Sequence, residues 1–502
     1  MDGPAGSPNF GGRESHCTLN NRDPNPFHPC PGAGYYLHPM ADRTLLSAIV
    51  GLVLCAGALA EPAGSPATLP ARRPIPPTAE LHQAQLAIAE IYGHRLQDRS
   101  PEARTRLAEE LMSKAQANPQ DAAACYSLLD QARQLAISAG DGRTALRAGN
   151  RASTLFDTDA LELQRATLQQ LDAVGCSPTL VAQRAARASM AAMDQDRPDL
   201  AISLARIGIR AAQRSREAEL MAQSADILHD AELAQQWMQS FVAAAPASTL
   251  PSTRAIVSPQ GRYLLFYRRD LDAAAAAFAG SGDQLGGLVK HEVESAGDIP
   301  ATLNIAANWW KLAGQPAGVP AWRVRRHAAE LYARCLPALS SLERDVARKR
   351  LDDARIEQLQ KEGFAPGIVA DVIKAADNQR VAHSVEADVI LPADDLPGSD
   401  YIIRCQGYID VATAGNHEFN LIAGTSARLV VDGRTLVDDP VYFRKRSGER
   451  FSLKLEPGLH ELLVEIRVSS GKPKLQLTWR PAGAKDLTPI PTAALYHDTE
   501  DR

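Results

Sequence analysis

The sequence predicts a multidomain protein in which an α-helical repeat, an irregular α-solenoid, precedes an antiparallel β-sandwich. From about residue 79 to 361, apolar residues recur every three or four positions, as on one face of a helix. After residue 381, apolar and polar residues alternate in short runs bounded by turns, as in half-buried antiparallel strands. A chain of 502 residues is also too long for a single core.

The composition limits the classes of partner. Hydrophobic residues make up 45% of the chain and charged residues 23%, which are ordinary values for a globular protein. The formal net charge of −5 gives no electrostatic reason to expect nucleic-acid binding. We therefore expect no nucleic-acid partner.

The N-terminal part carries a predicted export signal. From Met40, a basic residue, a short apolar run and an Ala-x-Ala end at Ala60 form the three parts of a secretory signal peptide. We expect residues 1–39 to be a start-site artefact or a disordered segment, residues 40–60 to be the signal peptide, and cleavage before Glu61. The apolar run is short for a bilayer span, so membrane contact is expected only transiently, through this peptide. These features predict export to the periplasm, the cell surface or the medium.

The prolines and cysteines predict a candidate lipid anchor, a linker and the absence of a metal or redox site. The residues before Cys55 faintly resemble a lipoprotein cleavage box, so a lipid anchor there is the alternative to simple cleavage. Six prolines in residues 61–78 predict an extended linker. The four cysteines beyond this linker are far apart, and they predict neither a zinc site nor a redox site.

Residues 79–361 predict the helical repeat. Ser100-Pro101 is typical of a helix start and Gly140 of a helix end. An aspartate precedes a small helical residue at four places, which predicts a weak internal repeat. The four aspartates are Asp141, Asp196, Asp230 and Asp270. The segment loosely resembles the tetratricopeptide-like repeats of exported bacterial proteins, which implies a face for a protein partner; a plain scaffold without a ligand is the alternative.

Residues 363–498 predict the sandwich and carry a family resemblance in several short blocks. These are Arg-Cys-Gln-Gly-Tyr-Ile at 404–409, Ala-Gly-Asn-His-Glu-Phe at 414–419, Arg-Leu-Val-Val-Asp-Gly at 428–433, Pro-Gly-Leu-His at 457–460 and Pro-Ile-Pro at 489–491. In this order the blocks resemble the protective-antigen-type domain, a carbohydrate-binding β-sandwich. The resemblance covers roughly a quarter of the chain.

The resemblance implies where a sugar would bind. Calcium-dependent members of that family carry two adjacent Asp residues just before the Arg-Leu pair, but this chain has Gly424 and Thr425 in that region. Without those carboxylates the resemblance implies loss of the calcium-dependent mode, and we expect no metal or cofactor. The candidate carbohydrate-binding residues are Gly424, Thr425, Arg428, Asp438, Asp439 and Tyr442. The alternative is a solvated hairpin whose aspartates cap turns.

Three functions follow from these readings. The first is an exported, non-enzymatic protein that binds a glycan or cell-wall polysaccharide without calcium. The second is a protein-interaction scaffold that uses the helical face, with the sandwich as a structural module. The third is an enzyme with its active site between helices or at the junction of the two domains. No catalytic residue is predicted for it, and no His-Glu pair has the second His that a zinc protease needs.

Overall fold

Helices occupy the first part of the described chain and antiparallel strands the second, which confirms the predicted fold class. The computed structural model describes residues 72–244, 257–279, 282–315, 318–377, 379–389, 400–424, 426–439, 448–469 and 475–499. The predicted cleavage site, Ala60 and Glu61, lies outside these residues, as do Thr425 and Tyr442.

The helical part contains helices α1 to α14 in the described residues. Their bounds are α1 Thr78–Leu96, α2 Pro101–Ala117, α3 Ala122–Ala139, α4 Gly142–Leu155, α5 Ala160–Ala173, α6 Pro178–Asp194, α7 Pro198–Ser215, α8 Ala218–Ala244, α9 Val257–Phe266, α10 Leu271–Phe278, α11 Gln284–Glu294, α12 Ile299–Leu312, α13 Ala321–Cys335 and α14 Ser341–Lys361. Sequence neighbours such as α6 and α7 pack against each other. Fully buried alanines, among them Ala185 and Ala201, allow the helices to approach closely.

Helix boundaries follow local chemistry at several places. The Ser100 side chain accepts a backbone N–H of α2, and Pro101 is the first residue of that helix. Gly140 ends α3 with a φ of 73°, which glycine adopts without steric cost. Asp141 and Asp270 cap α4 and α10. These predicted boundaries are confirmed.

One of the four aspartates of the predicted repeat, Asp230, does not follow a turn, so that part of the prediction is wrong. Asp196 does lie in the turn before α7, next to Arg197, the N-cap residue of that helix. Asp230 lies inside α8 and is fully buried. Its carboxylate is neutralised there by Arg323 of α13 at 2.8 Å, a partner that the local sequence does not reveal.

The end of the predicted linker is not a spacer. Arg73 forms a parallel bridge with Phe156, just after α4. The Arg73 guanidinium lies 4.7 Å from the centre of the Phe156 ring, and Pro76 is buried. Residues 72–77 are therefore packed on the helical part, because backbone and cation–π contacts replace solvation of the extended chain.

The strands form two antiparallel sheets. Their bounds are β1 Phe364–Pro366, β2 Ile368–Lys374, β3 Arg380–Glu386, β4 Tyr401–Val411, β5 Gly415–Ala423, β6 Ser426–Val431, β7 Arg434–Asp439, β8 Glu449–Leu455, β9 Gly458–Val468, β10 Leu475–Arg480, β11 Thr488–Pro489 and β12 Leu495–Asp498. The larger sheet has the order β1-β12-β4-β9-β6-β7, with β2 beside β4 and β3 beside β2. The smaller sheet has the order β11-β10-β5-β8.

The sandwich has two ends. At the distal end, β5 meets β10 at Ala423 and Leu475, while β6 meets β9 at Ser426 and Arg467. At the junction end, β4 finishes beside the start of β9, and α6 and α14 contact the strands there. The described residues between 72 and 499 belong to one compact unit. No helix within the described ranges is long and apolar enough to cross a membrane.

Candidate functional site

The described members of the predicted sugar-binding set gather at the distal end of the sandwich. Gly424 follows the last residue of β5 and is exposed. Arg428 on β6 lies directly opposite Asp438 on β7, and both side chains are exposed. Asp439 is half-buried opposite Ala427. The fold therefore places four of the six predicted residues near this end, with Asp439 on the opposite face of β7 from Asp438, and the other two lie outside the described ranges.

Arg428 and Asp438 also belong to a row of charged residues across the outer face of the larger sheet. From β3 through β2, β4, β9 and β6 to β7, directly paired positions carry His383, Asp371, Arg404, Glu465, Arg428 and Asp438. Their charges alternate in sign when His383 is protonated. Arg404 and Glu465 form an ion pair at 2.9 Å. Cross-strand pairs of opposite charge stabilise a sheet, and the Arg404–Glu465 pair is one of them.

Asp432 caps the turn between β6 and β7 and lies away from the predicted sugar site. Its carboxylate accepts the backbone N–H of Glu461 at 2.9 Å and contacts His460 Nδ1 at 2.6 Å. The His460 Nε2 atom lies 2.6 Å from the Glu456 carbonyl oxygen. The hydrogen bond with Asp432 raises the pKa of His460, and burial opposes that shift.

Metal binding has no structural support in the described part of the chain. No group of three or more His, Cys, Asp or Glu side chains there could hold a metal ion. The cysteines Cys125, Cys176, Cys335 and Cys405 are buried and form no disulfide with one another. Burial raises the pKa of the Cys405 thiol to about 12, which keeps this cysteine protonated and unreactive at neutral pH.

The junction between helices and sandwich is built on a buried carboxylate. Asp498 of β12 pairs with Arg184 at 2.6 Å and with Arg187 at 2.7 Å, both on α6. The Tyr408 hydroxyl donates to the same carboxylate at 3.0 Å. The Arg187 guanidinium also lies 3.6 Å from the centre of the Phe364 ring. Burial alone raises the pKa of Asp498, but the two guanidinium groups outweigh it and hold that pKa below its usual range.

A second ion pair completes the junction. Arg355 of α14 binds Asp410 of β4 through two hydrogen bonds of 2.6 and 2.8 Å. Beside it, Leu359, Phe364 and Tyr496 form a small apolar cluster that joins α14 to the strands. The sandwich is thus fixed to the helices at one end, and its distal end points away from these contacts.

The helical part contains a polar groove that the sequence analysis did not single out. The groove has a volume of about 470 Å³ and lies between α5, α7 and α8. It is lined by Arg165, Gln169, Asp199, Ile202, Ser203, Arg206, Ile207, Arg210 and Gln235. Arginines at every fourth position of α7, opposite its apolar stripe, are the sequence signal that could have revealed the groove.

Buried polar clusters inside the helical part are structural. Glu292 of α11 accepts the Trp309 indole N–H at 3.0 Å and contacts His327 Nε2 at 2.9 Å. Asp230 contacts Arg323 and accepts the Tyr267 hydroxyl at 2.5 Å. The groove is lined by other residues, so these groups hold helices together away from it.

Comparisons with known proteins found no match to any family model and none to a curated protein. A search of solved structures found similarity over about a quarter of the chain. An anti-sigma factor domain-containing protein from Clostridium clariflavum is 19% identical with a TM-score of 0.24, over 26% of this chain and 47% of that one. This chain therefore spans about half the length of that protein.

Two domains of the PA14 type are also similar. The PA14 domain of the MpAFP antifreeze protein is 15% identical with a TM-score of 0.24, over 28% of this chain and 94% of that domain. A PA14 sugar-binding domain from an RTX adhesin is 14% identical with a TM-score of 0.22, over 26% of this chain and 99% of that domain. At such low TM-scores, these similarities carry no argument about the function of this chain.

Proposed function

We propose that this protein is an exported, non-enzymatic carbohydrate-binding protein that holds a glycan or cell-wall polysaccharide at the distal end of its sandwich. One observation carries the proposal. Gly424, Arg428 and Asp438 lie near this end, with Arg428 directly opposite Asp438 and Asp439 on the other face of β7, and the junction with the helices leaves this end free. The family resemblance had selected the same residues from the sequence.

The residues at the distal end suit hydrogen bonding to sugar hydroxyls. Arg428 offers guanidinium donors and Asp438 offers carboxylate acceptors on the same face of the sheet. A sugar hydroxyl can both donate and accept, so one hydroxyl bridges this pair. The exposed Gly424 has no side chain, which leaves room for a ring beside it.

The proposed binding does not use calcium. Calcium takes six to eight oxygen ligands, several of them charged. Asp438 and Asp439 are adjacent on β7, and successive strand residues point to opposite faces of a sheet. Their two carboxylates therefore do not converge on one ion.

Binding of the full chain to a panel of soluble and cell-wall polysaccharides tests the proposal, with calcium and with a chelator. We expect saturable binding that survives the chelator and is weakened about tenfold or more by Arg428→Ala with Asp438→Ala. The matched control is Lys454→Ala with Glu456→Ala, an exposed pair of opposite charges outside the proposed site. Binding that the chelator abolishes would contradict the calcium-independent mode, and equal losses in both variants would remove the proposed site.

A second candidate function is a protein-interaction scaffold, and the groove between α5, α7 and α8 favours it. The groove lies on helices other than α6 and α14, which carry the junction ion pairs. A partner can therefore bind while the sandwich stays in place. Cross-linking with the full chain tests this function: a partner captured by the wild type and lost with Arg206→Glu supports it, and capture unaffected by the change contradicts it.

Export is a separate part of the proposal and has its own test. N-terminal sequencing of the protein from its native cells is expected to begin at Glu61. A native protein that retains residues 1–39 would contradict both the signal peptide and the start at Met40.

A further inference from the structure

We propose that the groove between α5, α7 and α8 binds an extended acidic polypeptide segment. This inference rests on the second candidate function, the scaffold, and adds the chemical class of its partner. The lining carries three guanidinium groups, from Arg165, Arg206 and Arg210, and one carboxylate, from Asp199. The lining residues alone therefore carry a net charge of +2, three arginines minus one aspartate, whereas the whole chain has a net charge of −5; Glu162 and Asp172, just outside the lining, pair with Arg165 and Arg210.

The three guanidinium groups come from facing walls of the groove. Arg165 on α5 is held in position by Glu162 at 2.8 Å and by Gln169 at 3.1 Å. Arg206 and Arg210 lie one turn apart on α7, and both are exposed. Guanidinium groups bind carboxylates through paired hydrogen bonds, so the two walls suit a chain with acidic side chains on both of its sides.

Arg206 is the groove arginine that can accept a new carboxylate partner. Among the described residues, Arg206 has no carboxylate within ion-pair distance, whereas Arg210 lies 3.6 Å from Asp172. Asp199, the single acidic group in the lining, accepts a hydrogen bond from Gln235. An incoming carboxylate therefore finds an exposed counter-charge at Arg206 without displacing an existing ion pair.

The other lining residues favour a polypeptide over a polysaccharide. The amide groups of Gln169 and Gln235 can pair with peptide N–H and C=O groups, and the Ser203 hydroxyl adds a further donor. Ile202 and Ile207 are buried and supply an apolar floor. The lining contains no aromatic side chain that could cover the apolar face of a sugar ring.

Fluorescence anisotropy with the full chain tests the inference. The probe is a labelled peptide of alternating Glu and Ser, and the comparison peptide has Lys in place of Glu. We expect saturable binding of the acidic peptide only, weakened at high salt because exposed charges are screened. Arg206→Glu with Arg210→Glu is expected to weaken this binding by about tenfold or more.

The matched control is Arg344→Glu with Arg348→Glu, two exposed arginines with the same spacing on α14. We expect this control to bind the acidic peptide within about twofold of the wild type, since neither arginine lines the groove and exposed charges are screened by salt. Arg206→Glu alone serves as a second variant, because Arg206 has no ion pair in the described chain whose loss could disturb folding.

Three results would overturn the inference. Equal losses in the two double variants would show that the peptide responds only to overall charge. Tighter binding of an oligogalacturonate, lost in the groove variant, would assign the groove to an acidic polysaccharide. If neither peptide binds, the proposed acidic polypeptide ligand is wrong. The scaffold function itself is contradicted only if the cross-linking experiment also finds no partner that depends on Arg206.

Discussion

At the scale of single residues, the most consequential side chains of the helical part are buried charges. Asp230 and Arg323 are almost completely shielded from solvent, with side-chain exposures of 0% and 2%. The Arg323 guanidinium also lies 4.1 Å from the centre of the Tyr267 ring. Such a pair fixes the contact between α8 and α13, because either group alone would be a buried, uncompensated charge.

Asp230→Ala is therefore expected to lower the free energy of unfolding by about 3–5 kcal/mol. Urea denaturation of the full chain measures it. The control is Glu357→Ala, which breaks the partly exposed pair with Arg325 and is expected to cost about 1 kcal/mol or less. Equal losses from the two changes would contradict the role given to burial.

His460 gives a pH dependence with a definite sign. Both of its ring nitrogens contact oxygen atoms that accept, so both contacts are hydrogen bonds only when the ring is protonated and donates twice. The pKa of His460 is raised by the hydrogen bond with Asp432. Its stabilisation is therefore complete below the unfolded pKa of about 6.5 and is lost as pH rises through the higher folded pKa.

Urea unfolding between about pH 6 and pH 9 measures this contribution. His460→Gln is expected to remove that part of the pH dependence, while His291→Gln, an exposed residue of α11, leaves it in place. If the free energy of unfolding of the wild type rises with pH over this interval, and His460→Gln removes the rise, the protonated state given to His460 is contradicted.

At the scale of elements, Gly407 decides how β12 pairs with β4. A Cβ atom at this position would lie 2.5 Å from the Tyr496 carbonyl oxygen and 3.2 Å from Ile368 Cγ1. Both neighbours belong to strands that pair with β4, so neither can move without disturbing the sheet. Glycine is required here for close approach of the backbones.

Gly407→Ala is expected to destabilise the protein by about 1–3 kcal/mol through overpacking. Gly287→Ala is the control, because a Cβ at Gly287 meets nothing within 4 Å on helix α11. The control is expected to stabilise by about 0.5–1 kcal/mol, since alanine favours a helix. Thermal denaturation compares the two variants. If the Tm shifts in the same direction in both, the close contact between residue 407 and Tyr496 is contradicted.

The elements also show what local sequence can and cannot reveal. Ser100 and Gly140 were predicted as helix boundaries because capping depends on residues within one turn. The alternation that predicted the sandwich is equally local. Asp230 was misread as a boundary because its partner Arg323 is 93 residues away. The groove was missed because its walls come from different helices, and periodicity describes one helix at a time.

At the scale of the whole molecule, the junction makes the helices and the sandwich one structural unit. Asp498 and its two arginines are 311 and 314 residues apart in the chain, so the sequence alone did not predict this contact. The proposed sugar site lies at the distal end of the sandwich. The proposed peptide groove lies on α5, α7 and α8, whereas the junction ion pairs are on α6 and α14. The arrangement therefore lets both ligands bind the same chain at the same time.

Differential scanning calorimetry tests this coupling. We expect the full chain to unfold in one transition, because Asp498 and Asp410 bind the sandwich to α6 and α14. Asp410→Asn with Asp498→Asn removes both counter-charges and is expected to split the transition into two. Acid acts in the same direction: the pKa of Asp498 is lowered in the folded protein, so its stabilisation is present above the unfolded pKa and is lost as pH falls through the folded one.

The control for this experiment is Asp400→Asn, which breaks an exposed ion pair with Arg467 at the distal end. We expect the control to keep a single transition, because that pair joins the sandwich only to itself. A single transition in the double variant would mean that the apolar cluster of Leu359, Phe364 and Tyr496 holds the two parts together without the ion pairs. Two transitions in the wild type would mean that the junction does not couple them at all.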